Sequence, residues 1–126
     1  MPNFHPERIK RWIGATAALH GKRIGHIHYV FCSDEKILEY NKQWLQHDYY
    51  TDIITFDYSE AECISGDIYI SVDTVVSNAK SLKVEIEQEL LRVIIHGILH
   101  LCGFKDKTPE DESMMHKQED LALNNI

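Results

Sequence analysis

Proline is scarce, with three residues in 126, glycine reaches only six, and the three cysteines, Cys32, Cys63 and Cys102, form no CxxC pair. So little proline and glycine excludes a collagen-like or linker-rich chain. An odd, widely spaced set of cysteines excludes a disulfide framework and points to reduced thiols in a cytosolic protein, with packing as their expected role. No apolar run approaches the ~20 residues of a membrane span, and the opening MPNFHPERIK has no secretory hydrophobic region, so the chain is expected to stay in the cytoplasm, off the membrane. Repeats, linkers and low-complexity segments are absent as well. What is present is 44% hydrophobic residues, which argues against disorder. The length suits a single domain with a real core.

Positive charge is also in short supply, the formal net charge being −7, and it is unevenly placed. Residues 1–45 carry seven basic and four acidic groups, a net of +3, whereas 46–126 carry six and sixteen, a net of −10. Arg8, Lys10, Arg11, Lys22 and Arg23 form the densest basic cluster. A solvated face is the ordinary reading of such a cluster, and an RNA backbone would prefer this part of the chain to the rest.

Periodicity gives the order αβαββααα. Pro6 opens a first helix ending near Gly21, with Ile9, Trp12, Ile13 and Ala17 as its buried stripe. A strand over Ile24 to Phe31 places Ile27, Tyr29 and Phe31 on one face and His26 and His28 on the other. Ser33 or Asp34 caps a second helix carrying Ile37, Leu38, Asn41, Trp44 and Leu45. Asp52 to Tyr58 and Asp67 to Val72 alternate as a hairpin, with SEAECISG as the turn. A short helix starts at Val72 or Asp73. A longer one runs from about Val84, opened by Glu85, Glu87 and Glu89 at its positive end and apolar nearly all round in its second half. Thr108 and Pro109 open the last helix. The expected class is α+β: a small mixed sheet of three to four strands covered by helices, with the longer apolar helix at the centre.

That central helix carries the chemistry. In HGILHLCGFKD, His96 and His100 are four apart and share one helical face, so two neutral imidazoles can grip one cation. Gly103 tolerates the left-handed backbone that ends a helix, and the turn can swing Asp106 back toward the pair. Two histidines, one carboxylate and an open fourth position make the donor set of a catalytic zinc. Cys102, about 200° round the helix from His100, faces away. The alternative reading is two satisfied histidines that a helix brings together by chance; histidines amid VIIHGILHL then need other partners for their ring nitrogens. His116 is the rival third ligand. Met114 and Met115 are either the floor of the site or core packing, with packing favoured. The remaining histidines, His5, His20, His26, His28 and His47, read as surface or satisfied residues.

The zinc-protease motif HExxH needs a Glu after its first histidine, and Gly97 stands there instead. HGILHLCGFKD resembles the HGxLHLxGYDH signature of the YbeY family, bacterial metal-dependent endoribonucleases of ribosomal RNA maturation. YNKQWLQHDYYTDIITF and SGDIYIS resemble two further motifs of that family, so the likeness spans most of the chain. It implies a single metal-dependent hydrolase domain over 1–126. It also implies His96, His100 and Asp106 as ligands of one divalent ion, zinc first and nickel second, with Asp106 replacing the family's third histidine. By family position it implies Asp67 and Asp52, beside His96, as catalytic candidates and Thr51 and Asp67 as substrate contacts, capping being the structural alternative for both aspartates. Leu45 replaces the family's arginine. The implied substrate is single-stranded or ribosomal RNA, with ribosomal or assembly proteins as further partners. A non-catalytic ribosome-assembly factor with a fold-stabilising metal is the first alternative, and a zinc peptidase the second.

Overall fold

The computed structural model describes residues 6–40, 53–104 and 108–124. Their elements are α1 (Pro6–Leu19), β1 (Arg23–Cys32), α2 (Asp34–Tyr40), β2 (Ile53–Asp57), β3 (Cys63–Ser71), α3 (Val72–Leu82), α4 (Ile86–Leu101) and α5 (Pro109–Asn124). The expected order and the α+β class are those found. Strand order is β1-β3-β2, with β1 parallel and β2 antiparallel to β3, so the sheet is mixed and β3 is its centre.

β3 occupies the centre because its side chains alternate by type. Ile64, Gly66, Ile68 and Ile70 are buried on one face, while Cys63, Ser65, Asp67 and Tyr69 on the other are half-buried. α4 lies across the buried face. Its isoleucines Ile94, Ile95 and Ile98 share one core cluster with Ile64, Ile68 and Ile70, with Trp12, Ile13 and Ala17 of α1, and with Ala122 of α5. Trp12 donates its indole N–H to the Ala122 carbonyl at 2.7 Å, tying the first helix to the last. α2 also packs on β3, with Ile37 fully buried. Gly97 is the point of closest helix–sheet approach: a Cβ there would lie 3.0 Å from the terminal methyls of both Ile53 and Ile68.

Caps define the helix ends. The Ser71 hydroxyl accepts the Thr74 amide at the start of α3, and the Thr108 hydroxyl accepts the Asp111 amide at the start of α5, the latter as expected. Lys83 takes the left-handed conformation at φ 57°, and the Val84 amide returns to the Ala79 carbonyl, so α3 closes through Val84 and α4 begins at Ile86, two residues after the expected start.

β3 begins four residues earlier than expected, at Cys63 rather than Asp67. The hairpin turn is compressed into the neighbourhood of Ala61, which adopts φ 51°, and the Glu60–Cys63 pair closes it. The stretch CISG reads as loop, yet it forms strand because Cys63 and Ile64 pair with Arg23 and Ile24 of β1 and Gly66 pairs with Asp57 of β2, close under the Phe56 carbonyl. In β1 an irregularity between Ile24 and Ile27 shifts the register; of the face shared by Ile27, Tyr29 and Phe31, Phe31 is 41% exposed while the other two are half-buried. Residues 41–52, which include Trp44, Leu45, Thr51 and Asp52, lie outside the described residues, as does Asp106.

Candidate metal centre

His96 and His100 project from the second half of α4 as their spacing requires, with ring centroids 4.8 Å apart and planes at 74°. His96 is held from α5: its Nδ1–H donates to Glu119 Oε2 at 2.6 Å. A carboxylate acceptor fixes the tautomer, which makes Nε2 the lone-pair nitrogen and orients the ring. The Glu119 side chain is itself only 2% exposed. Arg92, one turn before His96 on α4, donates from Nη1 to Glu119 Oε1 at 3.1 Å and to Asp120 Oδ1 at 3.2 Å. Burial pushes the Glu119 carboxyl up, but the hydrogen bonds it accepts from His96 and Arg92 hold it below its ordinary value. It is therefore an anion, and the short hydrogen bond to His96 is charge-assisted.

The sequence reading does not single out Glu119. Glutamate in a strongly acidic helix reads as solvent face, and α5 has little amphipathic contrast. The available signal is the spacing Met115–Glu119–Ala122, three positions along one side of a helix, all buried. A carboxylate on such a stripe needs a partner, and a histidine amid VIIHGILHL needs one too.

The other expected site residues separate. Asp67 points to the sheet face opposite α4, where it accepts from His28 Nδ1 and from the Tyr58 hydroxyl, both at 3.2 Å. It borders an open groove of about 670 Å³ with His26, His28, Tyr58 and Ser65. The sheet thus stands between Asp67 and the histidine pair. His116 is 69% exposed and lies 3.5 Å from Glu119 Oε1, on the same carboxylate that holds His96. Met115 is core, 1% exposed, while Met114 is 46% exposed. Cys102 is half-buried against the core, and burial pushes its thiol up. Asp106, Asp52 and Thr51 fall outside the described residues.

Two imidazoles one helical turn apart, one of them oriented, fit a divalent ion of the zinc type, and the Glu119 carboxylate behind His96 is the usual outer partner of a metal-bound histidine. Among the described residues no group of three or more His, Cys, Asp or Glu is arranged to hold a metal. Gly97 also decides against the peptidase alternative. It stands where HExxH has its general-base glutamate, and it faces the terminal methyls of Ile53 and Ile68 rather than the histidine pair's open side.

Comparison with known proteins agrees over nearly the whole length. A family model described as Endoribonuclease YbeY matches residues 4–126. Proteins named Endoribonuclease YbeY from Phocaeicola vulgatus and Parabacteroides distasonis are 57% and 54% identical over 98% of this chain, covering 89% and 87% of their own lengths. The solution structure of TM1509 from Thermotoga maritima is similar with a TM-score of 0.67 at 28% identity, over 94% of this chain and 78% of that one.

Proposed function

Because this chain belongs to the YbeY family of endoribonucleases, we propose that it cleaves single-stranded stretches of ribosomal RNA during their maturation. The likeness over residues 4–126 is the observation that carries this reading. The chain is an endoribonuclease, a hydrolase that acts on RNA. Its working place is the cytoplasm; no helix among the described residues is long and apolar enough to cross a membrane.

His96 and His100 hold one divalent ion, with Asp106 as the third donor and zinc ahead of nickel, since histidine and carboxylate donors serve both. When bound, the ion supplies Lewis-acid polarisation of the scissile phosphate. The chain's own residues do the rest. Glu119 accepts the Nδ1 proton of His96 and keeps Nε2 as donor, and Arg92 keeps Glu119 anionic and aimed. The buried flank of α4 against the sheet keeps water from one side of the pair. Asp52 and Thr51, just before β2, are the proposed proton acceptor and substrate contact. The test is cleavage of a defined single-stranded RNA by metal-loaded protein beside its His96→Ala variant. Cleavage by the parent alone is expected; equal cleavage by both would trace the activity to a contaminant and overturn the proposal.

A further inference from the structure

The basic cluster of the first third of the chain is left unused by the site on α4. Lys10 of α1 and Lys22 and Arg23 at the start of β1 surround a cleft of about 620 Å³ whose floor is Gly14, Ile24 and Tyr29. Among the described residues no carboxylate makes an ion pair with any of these three cations, although the chain as a whole is at −7. Arg23 meets Glu62 only through the backbone, its amide bonded to the Glu62 carbonyl. Three unneutralised cations on an acidic protein are a local field of opposite sign to the rest of the surface.

This cluster abuts the end of α4 that carries His100. His20, just ahead of Lys22, packs its ring edge-on against Phe104 at 4.8 Å. The Phe104 amide is bonded to Leu99 and the Gly103 amide to His100, so Phe104 is anchored to the last turn of α4. The basic loop and the histidine-bearing helix end are therefore neighbours, and β1, at the sheet edge, extends the surface away from them.

Resting on the RNA-cleaving reading above, we infer that the α1–β1 cleft is a landing site for the phosphate backbone of the substrate strand beyond the cut, with Lys10, Lys22 and Arg23 as its phosphate contacts. The chemistry required is a polyanion of repeating phosphates, which single-stranded RNA supplies and which the acidic remainder of the protein would repel. An acidic segment of a protein partner is the competing occupant.

The experiment uses the full chain, loaded with zinc, and single-stranded RNA long enough to span both places, comparing the parent with a Lys10→Gln/Lys22→Gln/Arg23→Gln variant. A Lys80→Gln/Lys83→Gln variant, altered at two exposed lysines at the end of α3, controls for bulk charge. Loss of three contacts should raise KM and Kd about tenfold at low salt and flatten the salt dependence of log Kd by about 0.7 per contact, with kcat much less affected. The control should keep the parent's slope. Parent-like KM and salt slope in the triple variant, with RNA cleavage by the parent intact, would overturn this inference alone and leave an acidic protein segment as the occupant. Failure of the parent to bind or cleave RNA at all would overturn both this and the reading it rests on.

Discussion

At the scale of single residues, one histidine of the pair is held by a buried carboxylate on another helix. Glu119 fixes one imidazole through a 2.6 Å hydrogen bond and is itself fixed by Arg92. Outer partners of this kind are worth about 10–100-fold in metal affinity. Glu119→Gln should accordingly weaken zinc retention by about that factor while far-UV circular dichroism stays that of the parent; competition with a chromogenic chelator measures it, and unchanged retention would make Glu119 a core residue only. Asp106 is the other residue to test, and its case rests on the family motif. Asp106→His should slow loss of the ion to a chelator, because imidazole is the ligand for which the family's turn is built, whereas Asp106→Ala with full metal occupancy would remove Asp106 from the ligand set.

Among the elements, the β2–β3 hairpin and the start of α5 bring the site together. Gly66 lies under the Phe56 carbonyl with no space for a methyl group, so Gly66→Ala has to push β2 away from β3. The expected cost is about 1–3 kcal/mol, in the range of overpacked interiors, and a denaturant melt would register it as a lower midpoint at constant slope. α5 is acidic throughout its first turn and begins at the Thr108 cap. Thr108→Ala should cost about 1 kcal/mol. The same helix positions Glu119, so a frayed α5 should loosen metal retention as well as the fold, and a variant that melts early yet retains zinc like the parent would uncouple the two.

For the molecule as a whole, the proposed ion site and the fold share one set of contacts. α4 is packed on the sheet and against α1, α3 and α5, so a ligand that joins His96 to His100 stabilises only the folded chain. Adding zinc to metal-free protein should raise the melting temperature in a concentration-dependent way, by about 2.7 kcal/mol of stability at a hundredfold excess over Kd. His100→Ala should abolish the shift. The same shift in that variant, seen by calorimetry, would place the ion elsewhere.

The order and kind of nearly all elements were legible from residue pattern alone, because hydrophobic period and caps are local: Pro6, Thr108 and the isoleucines of β3 and α4 all sit where their spacing implies. The pairing of His96 with His100 was legible for the same reason, four residues being one helical turn. Local pattern misread residues whose environment comes from afar. CISG looks like a turn until Gly66 is set beneath β2, and Glu119 looks solvent-facing until α5 is laid against α4. The motif names Asp67, and strand alternation sets its side chain on the sheet face away from α4, beside His28 and Tyr58. The sequence by itself determined that His96 and His100 share one face of α4, since that is set by covalent spacing. Only the tertiary structure decided which carboxylate stands behind His96, because a partner 23 positions away in the chain is chosen by how two helices pack.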